Sequence, residues 1–371
     1  MLENVKAPYR IGVMVDLPGF PGLTDMFPLA VKFALQEAHE TGLIDRPAEV
    51  IENEHTGQPW GDGNVSRNAY LEMVDEHQVL AIAGPMTTDN ALAVLDLVEE
   101  RRVPAITICG TQEYVGRYAF NLSNGNLADE PAYMAAWLKS RGHRRVAVLR
   151  DYPSRIGLEY HRFFEYACQQ FDLDIIAVGN VFPNAPEDEL TEIMGRLKAT
   201  DAQALVYLGF GGITPFLNKG LRNNDWDPDR IMCTAFVQAT YNEPFARNIE
   251  GWHGVDQYDE RNTRFRDMLA RCERATGQAL VPNSATSSGY DIGKCIAIAL
   301  SRMEVATPEA VAAALESIRM LPAMTGGPGT YITFGPHDHR GFKGLDYLNV
   351  RVSKDGKSLL APFEFGGAPI S

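Results

Sequence analysis

Apolar and polar positions along the chain alternate between two rhythms. Residues 10–15 (RIGVMV) form a short, nearly continuous apolar run, the pattern of a strand buried on both faces. Residues 26–41 carry Phe27, Val31, Ala34, Leu35 and Ala38 at helical spacing, and Gly42 follows as a stop. The exchange continues with a strand at 48–51, a helix at 66–76, a strand at 79–83, a helix at 90–101 and a strand at 105–108. A second series opens with a helix at 128–140 and a strand at 145–150. It runs on through a helix at 157–171, a strand at 175–182, a helix at 187–199 after Pro186, a strand at 204–208, a helix at 213–222 and a strand at 231–234. Further helices are predicted at 262–276, 284–301 and 308–317. Strands alternating with helices require parallel sheets covered on both faces, so the fold class is α/β. Two such series predict two doubly wound lobes. Ligands of such sheets sit beyond the carboxyl ends of the strands, here in the loops after Val15, Ala83, Ile108, Arg150 and Leu208.

Composition narrows the function more than the fold. The 371 residues exceed one ordinary core and suit two lobes. A hydrophobic share of 45% excludes disordered and collagen-like chains. The net charge of −14 repels phosphate backbones and anionic lipid surfaces, so direct nucleic-acid and membrane partners are not expected. Apolar runs such as 79–83 are strand-sized, far short of the ~18 residues a membrane span needs. The first residues (MLENVKAP) lack a basic stretch followed by an apolar one. Two localisations stay open: cytoplasmic if Met1 is the native start, periplasmic or extracellular if a signal peptide was removed ahead of it. The five cysteines are odd in number, scattered and without CxxC spacing, which leans towards a reducing compartment and buried, inert thiols.

Catalytic signatures are missing. The loop 16–22 is rich in glycine and proline but is not GxGxxG, and there is no P-loop, GxSxG, HExxH or EF-hand loop. His337-Asp338-His339 comes nearest to a metal cluster, and a solvated turn after Gly335-Pro336 is the expected reading. No carboxylate pair has a spacing that implies acid–base work. A non-enzymatic chain with no metal or cofactor is therefore expected. Two loops suit binding instead. In 84–90 (GPMTTDN), Thr87, Thr88 and Asn90 can cap the following helix, and its free N–H groups form a cradle for a carboxylate; capping alone explains these residues equally well. The loop 109–112 (CGTQ) follows the next strand and would lie beside it.

The order of these pieces resembles the type I periplasmic binding proteins of the Leu/Ile/Val- and amide-binding group. The resemblance rests on Ile11-Gly12-Val13 with its Pro/Gly loop, residues 81–88 (AIAGPMTT), 103–107 (VPAIT), 118–122 (YAFNL), 145–149 (RVAVL) with Gly157, Glu250-Gly251, Gly289-Tyr290-Asp291 and the turn 333–340 (TFGPHDHR). It implies two lobes joined by a three-strand hinge, residues 1–122 plus 254–327 and residues 123–253 plus 328–371, closing on a ligand between them. It implies a small-molecule ligand and, as partner, an ABC permease; a cytoplasmic sensor holding a regulatory protein is the alternative, and the chain could be a monomer or a dimer. Carried over residue by residue, Thr88 and Thr111 correspond to hydroxyls that receive a ligand carboxylate, with Thr87 and Gly110 beside them. Cys109 corresponds to a backbone carbonyl that meets a ligand amine. Ile156 stands where the family usually has a tyrosine, with Tyr152 and Tyr160 close by. The family's acidic partner for an ammonium is missing from 235–238, which argues against a plain α-amino acid. Phe210, Trp226, Phe236 and Tyr241 suggest an apolar wall, although a place in the core explains them equally well, and Arg155 either favours a carboxylated ligand or is a solvated surface group.

Overall fold

The computed structural model describes residues 6–366. From the start, strands and helices alternate: β1 (Tyr9–Val15), α1 (Met26–Glu40), β2 (Ala48–Glu54), α2 (Gly63–Leu71), β3 (Ala81–Ala83), α3 (Thr88–Arg101), β4 (Ala105–Thr107) and β5 (Ala119–Asn121). These five strands are all parallel, in the order β2-β1-β3-β4-β5. β1 lies between β2 and β3 and buries every residue but Arg10, as its apolar run requires. α1 buries the five apolar positions read from its spacing, and Gly42 ends it in the left-handed region at φ +73°. The helix expected over 66–76 starts earlier, with Asp62 accepting from the Asn64 N–H as its cap, and widens into a π turn at Glu72–Glu76. That turn seats buried Met73 over Gly12, where an added Cβ would lie 2.7 Å from the sulfur.

The second series contains α4 (Asp129–Ser140), β6 (Arg145–Asp151), α5 (Arg155–Gln170), β7 (Asp174–Val181), α6 (Glu187–Lys198), β8 (Ala204–Leu208), α7 (Thr214–Asn223), β9 (Asp229–Met232), α8 (Ala235–Ala239), α9 (Glu243–Asn248) and β10 (His253–Asp256). The chain continues through α10 (Thr263–Thr276), α11 (Ser284–Arg302), α12 (Pro308–Leu315), β11 (Leu321–Pro322) and β12 (Tyr331–Ile332), and ends in the hairpin β13 (Asn349–Lys354) and β14 (Lys357–Leu360). The second sheet has the order β14-β13-β10-β9-β8-β6-β7, with only the hairpin strands antiparallel.

Two compact units result. Unit 1 runs to Asn124 and resumes over Glu260–Tyr347; unit 2 comprises Gly125–Asp259 and the chain from Leu348 on. The crossings differ from those expected at 122, 253 and 327, and the reasons are local. β10 pairs with both β9 and β13, and Asn349 and Arg351 of β13 donate to the Tyr258 carbonyl, so residues 254–259 stay with unit 2. Residues 328–347 remain in unit 1, because Ile332 and Phe334 belong to its core and Phe334 packs edge-on against Phe120 at 5.3 Å. Asn124 likewise stays, its N–H donating to the Ile108 carbonyl 2.8 Å away.

Candidate functional site

In unit 1 the loops beyond β1 and β3 meet at one buried carboxylate. Asp16, the first residue past β1, accepts from the Met86 N–H at 2.6 Å, the Thr87 N–H at 3.1 Å, the Thr87 hydroxyl at 2.6 Å and the Asn90 side-chain amide at 2.7 Å. Asn90 also accepts from the Gln58 N–H at 2.9 Å, tying in the loop after β2. Four donors on one buried carboxylate fix the 84–90 loop firmly. Gly84 makes this turn possible: its φ is +104°, and a Cβ there would lie 2.5 Å from the Met14 carbonyl oxygen.

That network separates two neighbouring threonines. Thr87 is the N-cap of α3, yet its hydroxyl serves Asp16 instead of the helix or a ligand. Thr88 is buried, and its hydroxyl oxygen accepts from the Gly110 N–H at 3.3 Å, which links the two cradle loops and leaves the O–H as a donor. Thr111 is buried and accepts from the Glu113 N–H at 3.1 Å. Thr88, Gly110 and Thr111 thus lie together, as their neighbouring strands demand. The Cys109 carbonyl accepts from the Asn121 side-chain amide at 2.8 Å, so one of its lone pairs is already used. Burial pushes the Cys109 thiol up to about 12, which favours its protonated form.

Unit 2 carries its own set at the carboxyl ends of its parallel strands. Asp151, the last residue of β6, accepts from the Tyr207 hydroxyl at 2.9 Å and the Phe210 N–H at 2.7 Å. Burial pushes its carboxyl up to about 6, against the lowering effect of those two bonds. Glu130 of α4 accepts from the Tyr160 hydroxyl and the Thr234 N–H, both at 2.8 Å, and from the Thr234 hydroxyl. Burial pushes it up to about 7. An acidic group therefore does stand beside 235–238, supplied by another element, but its oxygens are spent on Thr234 and Tyr160. Tyr152 is exposed, Ile156 is buried in the first turn of α5 and Phe210 is half-buried.

Several expected positions fall elsewhere. Phe236 is core rather than wall: its side chain is fully enclosed and lies over Gly254 of β10, where a Cβ would come within 2.2 Å of the ring. Trp226 lies between α7 and the start of β9, at the amino end of the strands, in a 570 Å³ surface cavity with Arg222 and Arg230. Tyr160 is committed to Glu130. His337 is exposed, whereas His339 turns inward, stacks on Phe120 at 4.0 Å and places Nε2 3.3 Å from Glu316. Among the described residues no group of three or more His, Cys, Asp or Glu could hold a metal ion, and no helix is long and apolar enough to cross a membrane. None of Asp16, Asp151 and Glu130 was singled out from the sequence; an acid at the end of a buried strand is the signal that could have found the first two, whereas Glu130, inside a helix, gave none.

Comparison with known proteins agrees with this geometry. The family model described as periplasmic binding protein matches residues 8–357. No curated protein matches the chain significantly in sequence. A periplasmic binding protein type 1 from Bordetella pertussis Tohama I superposes with a TM-score of 0.79 at 18% identity, covering 96% of this chain and 100% of that one. An ABC transporter substrate-binding protein from Desulfitobacterium hafniense, solved in complex with Leu, gives 0.78 at 15% identity with the same coverages. The branched-chain amino acid transporter substrate-binding protein LivJ from Streptococcus pneumoniae, in complex with isoleucine, gives 0.77 at 16% identity, covering 95% of this chain and 98% of that one. With a family model spanning nearly all of it and a fold that matches in both units, this chain belongs to the periplasmic binding protein family.

Proposed function

We propose that the protein binds a small organic carboxylate and serves as the substrate-binding component of an ABC importer, acting by capture and release rather than turnover. The observation that carries the reading is the unit 1 cradle. Thr88 accepts from the Gly110 N–H, so its own hydroxyl hydrogen is left to donate, and it stands on the first turn of α3, where the helix dipole favours an anion. Asp16 holds that loop in place before any ligand arrives, which lowers the ordering cost of binding. Within unit 2, Tyr152, Ile156 and Phe210 stand at the carboxyl end of its own parallel strands. Glu130 and Asp151 are engaged within the fold, so neither is assigned to a ligand ammonium; this favours carboxylates without one. The neighbours bound to leucine and isoleucine support both the size class and the transport role. On this reading the partner is a permease, and the protein works outside the cytoplasm.

A thermal-shift screen against amino acids, aliphatic and aromatic carboxylates and amides tests this. A ligand at a hundred times its Kd adds about 2.7 kcal/mol of stability. Stabilisation by one carboxylate class is the expected result. Stabilisation by amides alone, or consumption of the bound compound on incubation, would sink the reading.

A further inference from the structure

Four strands form the edges of the two sheets, and three of them are blunted against pairing. β2 carries Glu49, Glu52 and Glu54 along its length. β5 has only three residues and is covered by a bridge from Asn121 to Arg340. β14 begins at Lys357, follows Lys354 and runs into Pro362. Charges, shortness, cover and proline are the usual devices that keep an edge from recruiting another strand. β7 is the exception. It is eight residues long and has no charge after Asp174 and no proline. The Val181 carbonyl is used by the Tyr152 N–H of the neighbouring chain segment, so Val181 faces β6. By alternation, Val178 and Asn180 direct their backbone N–H and C=O groups outward, where among the described strands none pairs with them.

The flanks of this edge are apolar and exposed. Val178 on the strand is 41% exposed and Phe182 just beyond it 55%; on α5, which packs beside β7, Leu158 is 41% and Tyr166 56% exposed. Leu158, Arg162 and Tyr166 recur at every fourth residue, so they share one face of the helix.

We propose that β7 is a self-association edge: two copies of this chain pair antiparallel along it and join their seven-stranded sheets into one. A second copy is favoured over a foreign strand because the surface complements itself. An axis perpendicular to the sheet near Val178 sets the two α5 helices antiparallel on the same face. The Arg162–Glu165 stretch of one copy then meets the same stretch of the other with unlike charges opposed, while Leu158 and Tyr166 close over the joined strands. In a chain of net charge −14, this uncharged strand is also the edge a second copy can approach with least repulsion.

Sedimentation equilibrium and light scattering on the full chain test the proposal. The wild type should give twice the 41.0 kDa chain mass. Val178→Lys, which sets like charges across the join, and Tyr166→Glu, on the helix surface away from the ladder, should each raise the dimer Kd at least tenfold with an unchanged circular dichroism spectrum. Val115→Lys, at a 68% exposed position in unit 1, should leave it as it is. A wild type that stays monomeric at its highest soluble concentration, or a Val178→Lys dimer as tight as wild type, overturns it.

Discussion

Asp16 and Asp151 occupy equivalent places in the two units, each at the carboxyl end of the strand that opens its parallel series. They are compensated very differently. Asp16 accepts from four donors and stitches the loops after β2 and β3 to the end of β1. Asp151 accepts from two and is pushed up to about 6 by burial. With Glu130, pushed up to about 7, unit 2 keeps two carboxyls whose charge its interior opposes. The same residue type at the same topological position is thus an electrostatic clamp in unit 1 and a proton-sensitive strut in unit 2. The lesson is that the same residue type at equivalent strand ends is put to different use by the donors that its neighbouring loops supply.

The contrast can be broken in several ways, taken from the largest effect down. Phe236→Ala should cost about 3–5 kcal/mol in denaturant unfolding, because it empties a fully enclosed core position in unit 2; a loss of ligand affinity at near-constant stability would return Phe236 to the binding wall. Asp16→Ala should cost roughly 3 kcal/mol and abolish ligand binding, since it strands two buried N–H groups, a hydroxyl and an amide. Asp151→Asn should cost less at neutral pH, because an amide oxygen can still accept from Tyr207 or Phe210; equal losses at the two sites would erase the contrast. Thr88→Val, nearly isosteric, should raise the ligand Kd about 10- to 100-fold, the worth of a hydrogen bond to a charged group, while the melting temperature changes little. An unchanged Kd would remove Thr88 from the site.

The smallest effect at neutral pH is the most diagnostic of unit 2. Glu130 and Asp151 have raised pKa values in the fold, so the folded chain holds their protons more tightly than the unfolded chain does. Their contribution favours folding fully below about pH 4 and is lost as pH rises through about 6 and 7. Melting curves of Glu130→Gln and Asp151→Asn across pH 4–8 should therefore show a smaller decline with rising pH than wild type. Parallel curves would contradict the assignment.

Much of this architecture could be read from the chain because strand and helix periods differ so sharply. The apolar runs of β1, β6 and β8 and the amphipathic stripes of α1 and α5 lie where their spacing put them. The crossings between units were harder to place, since they depend on pairing: nothing in His253–Asp256 itself announces that two strands hold it. At the site, the cradle loops followed from strand ends and capping chemistry. The resemblance singled out Thr88 rather than Thr87, and the structure adds that Asp16 takes the Thr87 hydroxyl. Phe236 and Trp226 looked like wall residues because an aromatic near a strand end reads the same from sequence whether it points into a core or away from it.

The most direct test of the carboxylate cradle is titration calorimetry with the best carboxylate from the screen, set beside its carboxamide analogue. The two differ in shape hardly at all and in charge by one unit, so the comparison isolates what Thr88, Gly110 and the start of α3 contribute. The account predicts that the carboxylate binds at least tenfold more tightly and that Thr88→Val removes most of the difference. Equal affinity for the two compounds would show that the cradle does not read an anion, and the proposed function would fall with it.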